Sequence, residues 1–169
     1  MSRKAAVLVA FAVVAVSAGA GLALTAGSEA KGAVKVRQIY MSAVEWKGSA
    51  TVAKEPYPTA PLPKGGGYEK FAPGSAEVGG DPTKWAVETY RFDTAVVAAC
   101  AGERVVLNIF GVNAPEHHIN IPDFGKNFVV KRGVLSRQAF RVKKPGIYPI
   151  ICITHQPSHR ADLVVLPCG

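Results

Sequence analysis

Cys152 and His155 stand three residues apart, and His159 follows within the same short stretch, Cys152-Ile-Thr-His155-Gln-Pro-Ser-His159. A thiol and two imidazoles this close in sequence reach a common point only if the chain folds back on itself. A loop joining two strands does that. The flanks agree with such a loop: Ile147 to Cys152 is an apolar run after the turn Lys144-Pro-Gly146, and Leu163 to Leu166 is another. The remaining two histidines, His117 and His118, are adjacent and lie well upstream, so all four histidines fall into two clusters. A buried core cysteine and a surface imidazole are the alternative reading of Cys152 and His155, and it requires that clustering to be coincidence.

From Trp85 onward the chain is a series of short β-rich runs separated by Gly/Pro turns. Trp85 to Ala99 supplies one or two strands. Arg104 to Gly111 follows, with Val105, Leu107 and Ile109 on one face. His117 to Ile121, Phe128 to Val130 and Val134 to Val142 come next, and then the two runs flanking the cysteine. No sustained helical period appears after the N-terminal segment. This pattern predicts an all-β Greek-key sandwich. Ala33 to Trp46 reads as a first strand. Gly48 to Lys84 holds six prolines and the runs Gly65-Gly66-Gly67 and Gly79-Gly80, and reads as an irregular insertion. It either packs through Tyr57, Tyr68 and Phe71 or stays partly disordered. The expected organisation is residues 1–30 as a leader, 31–84 as a strand plus the insertion, and 85–169 as the metal-binding domain.

Arg3 and Lys4 precede an almost uncharged, Ala- and Val-rich stretch from Ala5 to Ala26. A basic start followed by such a run reads as a secretory leader, with Ala18-Gly19-Ala20 and Ser28-Glu29-Ala30 as cleavage sites. An uncleaved membrane anchor is the alternative, since the run is long enough to span a bilayer. Either way the domain is expected outside the cytoplasm, in a periplasmic or similar compartment. It touches the membrane only if the leader is retained.

The three cysteines suit an oxidising compartment. If Cys152 is a metal ligand, Cys100 and Cys168 are left to pair as a disulfide; two free thiols are the alternative. The strand from Arg104 leads toward His117 and the closing strand leads away from His159, which puts Cys100 and Cys168 at the same end. The net charge is +8, carried largely by late residues such as Lys131, Arg132, Arg137, Arg141, Lys143 and Lys144. Such a surface favours acidic partners or an anionic membrane. Nucleic acid is not expected, because the basic residues are not interleaved with aromatics.

A thiolate and two imidazoles in a trigonal set with a weak axial ligand form an electron-transfer copper site. The pattern His117…Gly146-Ile-Tyr148…Cys152-x-x-His155…His159…Leu163-Val-Val resembles the cupredoxins, the blue-copper fold. The segment His117-His-Ile-Asn-Ile121-Pro122, followed by Phe124-Gly125, is similar to the copper-A domain of cytochrome oxidase subunit II and nitrous oxide reductase. That resemblance implies His117, not His118, as the upstream ligand, and covers residues 85 to 166. Strand alternation also allows only one of two adjacent side chains to face the metal.

The chain departs from the family twice. Position 156 is Gln and 148 is Tyr, so the second cysteine of a binuclear copper-A centre is missing, and one ion is expected. His159 stands where the family has an axial methionine. A third nitrogen donor implies a weaker copper–thiolate bond and a lower potential, as in the similar red-copper nitrosocyanins. Those proteins use an upstream carboxylate, which makes Glu116 the alternative ligand. His118 is the alternative neighbour of the site.

These readings predict an exported mononuclear copper protein that transfers single electrons, not an enzyme. Its partner would be an acidic redox protein such as a cytochrome or a membrane oxidase. Copper delivery or tolerance is the alternative. Catalysis at an open copper position has only Glu116 as a nearby acid or base, and zinc suits the same donors less well in a sandwich.

Overall fold

The computed structural model describes residues 33–168, and the expected leader with its cleavage sites lies outside them. Ten strands form two five-stranded sheets: β1 (Val36–Thr51), β2 (Tyr68–Phe71), β3 (Lys84–Asp93), β4 (Val96–Cys100), β5 (Arg104–Gly111), β6 (Glu116–Ile121), β7 (Lys126–Lys131), β8 (Leu135–Arg141), β9 (Gly146–Cys152) and β10 (Arg160–Leu166). The first sheet has the order β2-β3-β1-β5-β8 and the second β4-β10-β9-β6-β7. The pairs β1–β5 and β4–β10 are parallel, and the remaining ladders are antiparallel. The all-β sandwich expected from the punctuated strands is therefore the fold. Among the described residues no helix is long and apolar enough to cross a membrane.

Period-two alternation builds the core. Val105, Leu107 and Ile109 of β5 point inward with Ile39, Met41 and Ala43 of β1, and they meet Ile119, Ile121, Ile150, Leu163 and Val165 of the second sheet. Each fully buried aliphatic side chain contributes about 1.5–3 kcal/mol. β1 is the middle strand of its sheet, so residues on both sides of position 85 build the sandwich.

The Pro/Gly-rich stretch is more regular than its composition suggests. β1 runs on to Thr51, and Tyr68–Phe71 adds an edge strand to β3. A short edge strand is where a segment poor in ladder donors can pair. Tyr57 sets its ring edge-on to Trp85 at 6.2 Å, and the Trp85 indole donates to the Glu55 carbonyl at 2.8 Å.

The two poles of the sandwich differ in chemistry. β5 and β9 both end at one pole, where β6 and β10 begin. Cys100 and Cys168 form a disulfide at the other. There the buried Glu103 accepts two bonds from Arg37, at 2.8 and 2.9 Å, and one from the Cys100 amide at 2.9 Å.

Candidate metal centre

Three of the four donors come from the end of β9 and the loop that joins it to β10, and the fourth from the start of β6. β6 alternates so that Glu116 faces out, His117 faces in and is fully buried, and His118 faces out again. Cys152 ends β9 with its side chain buried, and the turn that follows brings His155 back and ends at His159, just before β10. That turn is closed from within. Cys152 donates its amide to the His159 carbonyl at 2.9 Å and His159 donates to the His155 carbonyl at 3.0 Å. The Gln156 amide side chain donates to the carbonyls of Cys152 and His159, at 2.8 and 3.2 Å.

One donor atom each from His117, Cys152, His155 and His159 lies within 4.8 Å of all the others. Cys152 Sγ is 3.3 Å from His155 Nδ1 and 3.2 Å from the Thr154 hydroxyl. His117 holds its Nε2 against the Asn113 carbonyl at 2.9 Å, which puts the proton on Nε2 and leaves the Nδ1 lone pair free. That Nδ1 has no hydrogen-bond partner, and neither nitrogen of the fully buried His159 has one. Buried polar atoms are almost always paired. The orphaned Nδ1 of His117 and one orphaned nitrogen of His159, beside a buried thiol, fit a metal ion that they would ligate.

Electrostatics keep the three clustered imidazoles neutral, the form that can bind metal. Burial pushes all three imidazoles below their usual value. For His159, with His117 and His155 adding to the effect, the value falls to about 3. Neutral imidazole is the ligating form, so no proton has to be displaced from these rings near neutral pH.

A second layer of residues fixes the ring planes. Tyr90 of β3 stacks on His155, and Phe92, two residues on along the same face, packs on His159 with centroids 4.2 Å apart. The Tyr90 hydroxyl donates to Glu45 Oε1 at 3.0 Å. Burial, reinforced by that carboxylate, pushes the Tyr90 hydroxyl up, so it stays a donor. Burial alone would raise Glu45, but hydrogen bonds from Lys47 and Tyr90 outweigh it and hold the carboxyl below its ordinary value. Asn113 bonds both the amide and the carbonyl of Glu45, at 2.9 and 2.7 Å. A hydrogen-bonded path thus runs from His117 through Asn113 and Glu45 to the ring stacked on His155. Ala114, next in the chain, takes a left-handed φ of 59°, uncommon for a residue with a Cβ.

The structure brings together His117, Cys152, His155 and His159 and leaves Glu116 and His118 outside. Those two pair with each other on the outer face of β6 at 2.8 Å. Cys100 and Cys168 are joined at the far pole. Sequence reasoning did not find Glu45, Tyr90, Asn113 or Thr154. Tyr90 and Phe92 share one face of β3, but nothing local in the sequence says that this face meets the histidines.

No family model and no curated relative matches the chain. Solved structures similar to it include three domains of distant proteins. One is the metal-binding domain of the Cu(I)-exporting P-type ATPase CopA of Streptococcus pneumoniae, 8% identical over 78% of this chain and 86% of that one, with a TM-score of 0.43. Another is auracyanin A, a "blue" copper protein of Chloroflexus aurantiacus, 17% identical over 45% of this chain and 89% of that one, TM-score 0.39. The third is the periplasmic domain of cytochrome oxidase subunit II of Bradyrhizobium japonicum, 16% identical over 42% of this chain and 54% of that one, TM-score 0.37. The chain spans about half the length of the oxidase chains it matches. Likenesses this distant say nothing of activity, and the sandwich stands on its own strand pairing.

Proposed function

We propose that this chain binds one copper ion through His117, Cys152, His155 and His159 and passes single electrons outside the cytoplasm. The observation that carries the reading is the convergence of four donor atoms, two of them on the buried imidazoles of His117 and His159, whose nitrogens facing the cluster have no other partner. Bound there, copper would supply a one-electron couple, with thiolate favouring Cu(I) and imidazole suiting both oxidation states. The chain's own part is rigidity. His117 is held through Asn113, His155 lies against Tyr90, and the loop is closed by Gln156.

Four protein donors leave no evident place for a substrate, which supports a carrier over a catalyst. The Cys100–Cys168 disulfide supports export to an oxidising compartment. Exposed Lys131, Arg132 and Arg137 support an acidic redox partner, such as a cytochrome or a membrane oxidase, met through complementary charge.

Titration of the metal-free protein with Cu(II), followed by absorption and electron paramagnetic resonance, tests this reading. One equivalent should produce a thiolate-to-copper charge-transfer band that disappears on reduction and returns on oxidation. No such band would end the proposal. A band accompanied by copper loss at each cycle, or by rapid transfer to a chelator, would favour copper delivery instead.

A further inference from the structure

The run Gly65-Gly66-Gly67 has no part in ligation, yet it lies directly on the ligand loop. Gly67 donates its amide to the Gln156 carbonyl at 3.0 Å. The Gly67 carbonyl accepts from the Ser158 hydroxyl at 2.7 Å, from the Thr89 hydroxyl at 3.0 Å and from the Tyr90 amide at 3.3 Å. There is no room here for a side chain. A Cβ on Gly66 would stand 2.5 Å from the Thr154 carbonyl oxygen, and one on Gly67 would stand 2.5 Å from Ser158 Oγ and 2.7 Å from the His155 carbonyl oxygen. A Cβ on Gly65 would meet the Gln156 carbonyl, and its φ of +121° already favours glycine.

We propose that Gly65–Gly67 is a backbone clasp that holds the loop Cys152–His159 in metal-ready geometry before the ion arrives and slows the ion's escape afterwards. The part concerning the ion rests on the copper reading above; the part concerning the loop rests on contacts alone. The loop carries three of the four donors, and ordering it only on metal binding would oppose that binding through lost conformational freedom. Gln156 closes the loop from inside and the clasp presses it from outside. The Gly67 carbonyl ties the same assembly to β3, the strand whose Tyr90 ring backs His155. One anchor therefore positions both the loop and the platform behind its ligand. A segment of three glycines suits this role because only a backbone without Cβ atoms can approach another backbone so closely.

The test is a comparison of Gly67→Ala and Ser158→Ala with wild type in the full chain. Gly48→Ala serves as control, since its Cβ would meet only Val87 Cγ2 at an ordinary 3.5 Å. In metal-free protein, Gly67→Ala should speed hydrogen exchange at the amides of residues 154–156, 158 and 159 by about tenfold or more, while amides of Glu116–Ile121 keep wild-type protection. In copper-loaded protein, a chelator should remove the metal about tenfold faster, and the charge-transfer band should broaden. Ser158→Ala adds no bulk and should act in the same direction more weakly, which decides the matter if Gly67→Ala does not fold. Wild-type loop exchange in both variants, or an increase spread evenly over the whole sandwich, would overturn the clasp. A wild-type chain that binds no copper refutes the metal reading, and the exchange comparison still decides whether the clasp exists.

Discussion

The phenol ring of Tyr90 lies flat on the imidazole of His155, with centroids 3.7 Å apart and planes 1° from parallel. A stacked ring fixes the plane of the imidazole, and the Tyr90 hydroxyl is itself fixed by Glu45. Tyr90→Phe keeps the platform and loses one hydrogen bond, so it should lower metal-free stability by about 1 kcal/mol and leave the charge-transfer band in place. Tyr90→Leu removes the platform. It should cost about 1–3 kcal/mol and broaden the copper resonance. Identical spectra for the two variants would show that stacking does not position His155.

His159 is buried, and the protein offers neither of its ring nitrogens a hydrogen-bond partner. An unsatisfied buried polar group costs about 1–3 kcal/mol, so His159→Leu should make the metal-free protein more stable by that amount. With copper present the order should reverse, because a ligand at about 1,000 times its dissociation constant stabilises the native state by about 4 kcal/mol. Denaturant melts with and without Cu(II) measure both effects. A leucine variant less stable than wild type without metal would mean that the site is not strained by its empty donors.

Thr154 directs its hydroxyl at Cys152 Sγ from 3.2 Å. A hydrogen bond donated to the thiolate draws electron density from it and favours Cu(I). Thr154→Val keeps the branched shape and removes the donor, so the reduction potential should fall by an amount equivalent to about 1 kcal/mol, one ordinary hydrogen bond. Protein-film voltammetry reads the change, and an unchanged or raised potential counts against the bond.

Glu103 ties β1 to the start of β5, and Arg37 together with the Cys100 amide holds its carboxyl at about 2, below the ordinary 4.5. Because the folded value is depressed, the unfolded chain takes up this proton first as pH falls. The stabilisation is full above pH 4.5 and is lost between there and about 2. Stability measured across that window should fall less steeply in Glu103→Gln, which starts lower at neutral pH. Equal slopes would remove Glu103 from the acid transition.

The Cys100–Cys168 disulfide closes a loop with a sequence separation of 68. Chain-entropy reasoning puts its contribution at about 4 kcal/mol. It lies at the pole away from the ligands, so Cys100→Ala/Cys168→Ala should lower the melting temperature while the copper spectrum stays that of wild type. A changed spectrum would reveal coupling between the poles.

The cluster of His117, Cys152, His155 and His159 was legible because three of them share one short loop and the fourth precedes an Ile-Pro pair on a short strand. The strands of the core were legible where alternation is strong, as in Val105, Leu107 and Ile109. β7 begins at Lys126 rather than at Phe128, because Lys126 and Asn127 pair with Ile121 and Asn120 despite their low strand preference. The residues behind the ligands were not legible. Tyr90 and Glu45 meet through the register of β1 on β3, and Asn113 reaches Glu45 across a sequence distance that no local pattern encodes. The glycine run read only as part of an irregular insertion, with no hint of what it would press against.

β10 sits between β4 and β9, joined to the first in parallel and to the second antiparallel. A ribosome makes the chain from its N-terminus, so the second sheet lacks an interior strand until residues 160–166 have emerged. His117 on β6 is made 35 residues before Cys152, and its free nitrogen has none of the other three donors beside it over that interval. The donor set therefore closes only after the strand that ends the loop has zipped into place, so a chain caught before that point carries single donors and no assembled cluster.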